Sequence, residues 1–149
     1  MKTRVVYGSS TGNTETVAHW IAGVLRKGGA DTEVLDAAKT RPEGLAEGVD
    51  LLLLGSSTWG EDEIELQDDF VPLFERLELA GLRGARVAVF GCGSSEYAFF
   101  CGAVDAIESR VGELGARLVH ESLRVDGDPV QGEVEAWAEA LLGAFQEDC

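Results

Sequence analysis

Gly8-Ser9-Ser10-Thr11-Gly12-Asn13-Thr14 stands between an apolar run, Val5-Val6-Tyr7, and a segment in which Val17, Trp20, Ile21, Val24 and Leu25 recur on one helical face. The spacing predicts a strand, a tight turn and a helix, in that order. Such a turn gathers four hydroxyls, from Ser9, Ser10, Thr11 and Thr14, together with the Asn13 amide. They collect where a helix presents unpaired N–H groups and the positive end of its dipole, a setting that suits an anion of phosphate size. Gly8 and Gly12 allow the chain to turn sharply and a ligand to approach the backbone closely. The loop has no Lys or Arg and lacks the Gly-Lys-Ser/Thr ending of a nucleoside triphosphate loop, so a phosphate monoester held by neutral donors fits it better than ATP. Taken alone, the same residues also read as an N-cap region rich in Ser and Thr.

Outward from this corner, the first helix ends at Arg26-Lys27 before Gly28-Gly29, with basic residues at the negative end of the dipole. Glu33-Val34-Leu35 is a short, partly polar strand suited to a sheet edge. Residues 41–48, with Pro42 and two glycines, form a connection with one helical turn. The run from Val49 to Leu54 holds four successive leucines, as expected of a central parallel strand buried on both faces. Residues 57–66 then read as a polar loop, and Phe70, Leu73, Phe74 and Leu77 mark a helix started by Asp68 or Asp69. Val87-Ala88-Val89-Phe90 is a fourth strand ending in Gly91-Cys92-Gly93. A helix through Phe100, Ala103, Val104, Ile107, Val111 and Leu114 closes at Gly115. A fifth strand spans Leu118 to Val125 with an interruption near Glu121-Ser122. The last helix carries Val134, Trp137, Ala138, Leu141, Leu142 and Phe145. Strands alternating with helices imply an α/β fold: a doubly wound, five-stranded parallel sheet with helices on both faces. Ligands of such sheets sit outside the C-terminal strand ends, at the switch point of the strand order, so the turns after strands one, three and four should converge.

The chain has 149 residues, a length that fits one domain spanning 1–149, and a net charge of −15 from 12 basic and 27 acidic residues. That balance argues against nucleic acid and anionic membranes and favours basic protein surfaces; a merely soluble protein is the plain alternative. Cys92, Cys101 and Cys149 have no zinc-type or CxxC spacing, and there are only two histidines, so no metal is expected and the thiols read as reduced. Met1-Lys2-Thr3-Arg4 runs into the first strand without a leader-like apolar segment, and no stretch reaches membrane-spanning length, so a cytoplasmic, unexported monomer is expected.

Two further turns carry chemistry. Trp59 stands in Ser57-Thr58-Trp59-Gly60-Glu61-Asp62, an awkward setting for a core residue, and Tyr97 stands behind Ser94-Ser95-Glu96. A lone Trp is more often a core residue. Two aromatics on loops expected to converge beside a phosphate cradle suggest instead a flat heterocycle held between rings, since stacked pairs add about 0.5–1.5 kcal/mol beyond burial.

With these motifs the chain resembles the flavodoxins, close to their short-chain group, over essentially its whole length. The resemblance implies strand order 2-1-3-4-5 and non-covalently bound FMN. It implies a low-potential one-electron carrier, with no catalytic residues of its own, that shuttles between semiquinone and hydroquinone and docks transiently to redox proteins with basic faces. By that resemblance Ser9, Ser10, Thr11, Gly12, Asn13, Thr14 and Ser57 hold the phosphate and ribityl chain, and Trp59 and Tyr97 flank the ring. Backbone groups of Thr58, Gly60, Glu61, Gly93 and Cys101 meet its polar edge, and Cys92, Ser94 and Phe100 complete the second ring loop. Ser94 stands where short-chain members commonly have Asp. The resemblance also implies that the Gly60-Glu61 peptide flips to accept a hydrogen bond from flavin N5, which glycine permits.

Glu61, Asp62, Glu63, Glu65, Asp68, Asp69 and Glu96 stand beside the expected ring position, with no Lys or Arg between Ser57 and Leu73, although those farther out, such as Asp69, read better as ordinary solvated surface. One unit charge at about 10 Å opposes an added electron by roughly 0.4 kcal/mol in water and about 1.7 kcal/mol at an effective dielectric of 20. At about 40 mV per kcal/mol for one electron, a few such charges lower the potential appreciably. A different class of function is also open: Gly8-x-Ser10-x-Gly12 fits the nucleophile elbow of an esterase, with His120 as base. A receiver domain would need acids after the first strand, and a C-x5-R phosphatase would need Arg where Ala98 stands. A flavin-dependent quinone reductase would need a second substrate-binding segment for which little chain is left.

Overall fold

The computed structural model describes residues 1–8, 12–59, 65–66, 70–93 and 101–148, with the side chains of 58, 59, 65, 66 and 146–148 excepted. The elements follow in the order β1 (Lys2–Gly8), α1 (Asn13–Lys27), β2 (Asp31–Asp36), β3 (Leu51–Trp59), β4 (Glu65–Leu66), α2 (Val71–Glu75), β5 (Arg86–Gly93), α3 (Gly102–Glu113), β6 (Arg117–Leu118), β7 (Leu123–Asp126) and α4 (Gln131–Asp148). Single 3-10 turns occupy Ala37–Lys39 and Leu77–Leu79.

β2, β1, β3 and β5 lie side by side and parallel, and β6 and β7 share the fifth position, each parallel to β5. Counted by position, the order is 2-1-3-4-5. The chain crosses from β1 outward to β2 and then back past β1 to β3, which puts the switch point between β1 and β3. The fifth strand is interrupted between Leu118 and Leu123, around the expected break at Glu121-Ser122.

Successive β3 leucines serve opposite faces, as the strand period of two requires. Leu51 and Leu53 join Val5, Ala88 and Phe90 under α1 and α4, whereas Leu52 and Leu54 join Val6, Val87 and Val89 beneath α3 and the segment from Phe70 to Leu82. All four are essentially buried, the condition under which an unbroken leucine run is a strand and not an amphipathic helix. α1 faces this core with Val17, Ala18, Ile21 and Leu25, and α4 with Val134, Ala138, Leu141 and Phe145.

The expected polar loop at 57–66 is corrected in its first part. β3 continues through Trp59, and β4 folds back antiparallel on it, pairing Thr58 with Leu66 and Trp59 with Glu65. Ser56 and Ser57 still pair with Gly91 and Cys92 of β5, so ladder hydrogen bonds extend the strand where its side chains have turned polar. The helical turn expected within 41–48 lies earlier, at Ala37–Lys39, where the Asp36 carboxylate accepts from Ala38 N at 2.9 Å.

Candidate functional site

The site lies where β1, β3 and β5 end at one level. Gly8 is opposite Ser56, Ser56 opposite Gly91, and Ser57 opposite Cys92. Beyond them, Cys92 and Gly93 pair with Val125 and Asp126 of β7. Three turns therefore leave the sheet side by side at its C-terminal edge.

The β1–α1 corner depends on Gly12, the N-cap of α1, at φ +93°. That left-handed conformation is cheap only for glycine. A glycine cap offers no side-chain acceptor to the first-turn N–H groups of the 15-residue helix, and a Cβ at Gly12 would have nothing within 4 Å. Donors of this kind suit an anion approaching along the helix axis.

Beneath the corner runs a chain of small polar groups. The Thr14 hydroxyl is 3.1 Å from the Ser57 hydroxyl, Ser57 Oγ is 3.5 Å from Gly8 O, and the Cys92 thiol is hydrogen-bonded to Thr14. Thr14 is fully buried and Ser57 nearly so. This chain joins α1, β1, β3 and β5 in the plane beneath the loops. Burial pushes the Cys92 thiol up, and its bond with Thr14 only partly opposes this.

Glycines set how closely the start of α3 lies against the sheet. A Cβ on Gly91 would come within 2.5 Å of Ser56 O and 2.6 Å of Val104 Cγ2, and one on Gly93 would lie 2.9 Å from Cys101 N. Cys101 caps α3 at φ +51°, the only positive φ outside glycine among the described residues. Its conformation costs roughly 1–2 kcal/mol and is held from below, where the buried Sγ approaches Gly91 O at 3.8 Å and Val125 O at 3.7 Å. Burial, followed by the neighbouring Cys92, raises the Cys101 thiol to about 12. Cys92 and Cys101 are free in this structure, and burial favours the protonated form of both thiols.

Of the candidate residues, the structure brings together Gly12, Asn13, Thr14, Ser57, Cys92, Gly93 and Cys101, with the backbone of Thr58 and Trp59 on the extension of β3. Ser9, Ser10, Thr11, Gly60, Glu61, Ser94, Tyr97 and Phe100 lie outside the described residues, as does Cys149. Among the described residues no group of His, Cys, Asp and Glu could hold a metal, and no helix is long and apolar enough to cross a membrane.

Two features escaped the sequence reading. Asp126 ends β7 beside Gly93, and Gly127 N donates to Gly93 O at 2.8 Å, so the Asp126-Gly127-Asp128 turn adds acids to the same edge. The Asp-Gly pair was the available signal. The second feature is Tyr7, whose hydroxyl donates to Glu15 Oε2 at 3.0 Å, with His19 4.0 Å from the same carboxylate. Burial, the bond to Glu15 and the charges of Glu15 and Asp36 raise the Tyr7 phenol from 10.0 to about 12. Folding disfavours its phenolate, so its contribution to stability is full below pH 10 and is lost as pH rises through about 12. Tyr7→Phe is expected to flatten the alkaline fall in stability across that interval, as measured by urea unfolding at stepped pH; an unaltered profile would show that Tyr7 does not titrate there.

His120 sits at the β6–β7 break against Trp137, ring centres 6.1 Å apart, while Trp137 Nε1 donates to Glu121 O at 2.8 Å. It packs against α4.

A family model described as Flavodoxin matches residues 5–140. The chain is 52% identical over 143 residues to a flavodoxin of Nitratidesulfovibrio vulgaris, covering 95% of this chain and 97% of that one. It is 48% identical over 140 residues to a flavodoxin of Maridesulfovibrio salexigens, covering 94% and 96%. Among solved structures, oxidised Flavodoxin 1 from Bacillus cereus superposes with a TM-score of 0.86 at 32% identity, covering 100% of this chain and 99% of that one. These comparisons give the esterase reading no support.

Proposed function

Because this chain belongs to the flavodoxin family of FMN-binding electron carriers, we propose that it works at low potential, as a cytoplasmic monomer, between redox proteins whose docking faces are basic. FMN supplies the one-electron chemistry when bound. The protein's part is to hold the phosphate without cations, shield the ring and crowd it with negative charge.

The observation that carries this reading is the polar floor that joins Thr14, Ser57 and Cys92 under the N-terminus of α1. Its donors are neutral, its thiol is protonated, and the glycine cap leaves the helix end without a side-chain acceptor of its own. A phosphate monoester suits it, and a triphosphate loop would need a lysine. Ser9, Ser10, Thr11, Gly12, Asn13 and Ser57 grip the phosphate and ribityl chain. Thr14, with its hydroxyl engaged by Ser57 and Cys92, contributes its backbone N–H. Trp59 and Tyr97 cover the ring, and backbone groups of Thr58, Gly60, Glu61, Gly93 and Cys101 meet its polar edge.

The acids at 61–69 and the turn at Asp126-Gly127-Asp128 make each added electron costlier, and the same charge draws in a basic partner. The test is an FMN titration followed by electron transfer to a cationic redox protein. One FMN per chain is expected, with a rate that falls as salt rises and the Debye length shortens from about 30 Å at 0.01 M to about 8 Å at 0.15 M. Protein that takes up no FMN overturns the reading, and a salt-independent rate assigns the acidic surface to solubility alone.

A further inference from the structure

We propose that Tyr7 and Glu15 are positioning residues for the phosphate end of the cofactor, a role that rests on the FMN reading above. The Tyr7 hydroxyl holds the Glu15 carboxylate toward β1 and so keeps it from competing with the phosphate at the start of α1. The two residues flank the phosphate corner: Tyr7 is the last side chain of β1 before Gly8, and Glu15 is the third residue of α1 after the Gly12 cap. Tyr7 Oη donates to Glu15 Oε2 at 3.0 Å, a bond from the strand that enters the corner to the helix that leaves it.

Glu15 needs such a partner because of where it stands. A glutamate at the third helical position can turn back over the helix end and accept from its N–H groups, as in a capping box. The cap here is glycine, which has no side chain to occupy that end. An untethered carboxylate would meet the same positive pole that suits a phosphate, and its charge would oppose the ligand's. Tyr7 holds it from a fixed base. The tyrosine is buried in the core that α1 covers, and its main chain lies between Asp36 of β2 and Gly55 of β3.

The surroundings act in the same direction. His19 lies one turn farther from the helix start, 4.0 Å from Glu15 Oε2, and its ring centre is 6.2 Å from that of Tyr7. Burial first, then the bond to Glu15 and its charge, then Asp36, raise the phenol to about 12, so it remains a donor across the neutral range. An O–H on a carboxylate is among the stronger hydrogen bonds. The consequence is selective: riboflavin has the ring and ribityl chain of FMN but no phosphate, so the tether matters to FMN alone.

The test is fluorescence titration of the flavin-free full chain with FMN and, separately, with riboflavin, for the wild type, Tyr7→Phe, Glu15→Ala and the double variant. At about pH 8 the FMN phosphate is a dianion, its second pKa being about 6. Tyr7→Phe is expected to raise the FMN dissociation constant about fivefold, the effect of one hydrogen bond, and to leave that of riboflavin within about twofold. In the Glu15→Ala background the same change should leave FMN binding unaltered, because no carboxylate is left to hold. Urea unfolding establishes that each variant is folded. Equal losses for FMN and riboflavin would make Tyr7 a support of the fold only. That result, an FMN loss that persists without Glu15, or no FMN loss at all overturns the proposal. Wild-type protein that takes up neither flavin overturns the FMN reading itself, and this role with it.

Discussion

Phe90→Ala is expected to destabilise the protein by about 3–5 kcal/mol, the range for removing a fully buried phenylalanine. The ring lies across Gly55 of the neighbouring strand: a Cβ there would overlap Phe90 Cε2 and Cζ. Gly55 has no side chain to move into the space, so the cavity is left largely unfilled beneath α1 and α4. For a chain of this size the loss corresponds to a fall in melting temperature of roughly 6–20 °C. FMN affinity should fall too, because Phe90 directly precedes Gly91, Cys92 and Gly93 at the end of β5. Gly55→Ala should also destabilise alone but far less in the Phe90→Ala background, and the coupling can be read from a double-mutant cycle in urea. Additive effects, or a Phe90→Ala cost under about 1 kcal/mol, would show that the ring does not fill the space over Gly55.

Trp59→Ala should weaken FMN binding by about 2–4 kcal/mol, the sum of a buried aromatic face and its stacking contribution. That is roughly 30- to 1000-fold in dissociation constant. The main chain of Trp59 is fixed by its pairing with Glu65 on the extension of β3, so truncating the side chain removes only the proposed contact with the ring while the strand pairing remains. The first reduction step should shift with the affinity, because a ring no longer covered meets water and the neighbouring carboxylates differently. Fluorescence titration of FMN checks the affinity, and a potentiometric titration checks the shift. Unchanged values in both would remove Trp59 from the ring site.

Much of the fold was legible from residue pattern alone. Four leucines in a row suited a strand covered on both sides better than a half-exposed one, and the division of Leu51 and Leu53 from Leu52 and Leu54 between two cores is the physical content of that pattern. The first helix was bounded by the glycine-containing turn before it and by Gly28-Gly29 after it, where Gly12 and Gly29 take the positive φ that other residues resist. The extension of β3 through Trp59 was not legible. Its polar residues read as loop, and what holds them extended is a ladder to Cys92 and a return strand at Glu65, both distant in sequence. The acids of the Asp126-Gly127-Asp128 turn were missed at the site for a similar reason, since only the pairing of β7 with β5 brings them beside Gly93.

Local chemistry, then, was legible in the sequence: where most strands and helices lie, which residues turn away from water, and that the corner after the first strand carries hydroxyls and amides and no lysine. These depend on periodicity and on backbone preferences that act over a few residues. The tertiary structure alone decided that the hydroxyl of Thr14 is spent on Ser57 and Cys92, and that Cys101 is held in a left-handed turn by β5 and β7. Each of these depends on strand register and crossover, which bring together groups that no spacing along the chain relates.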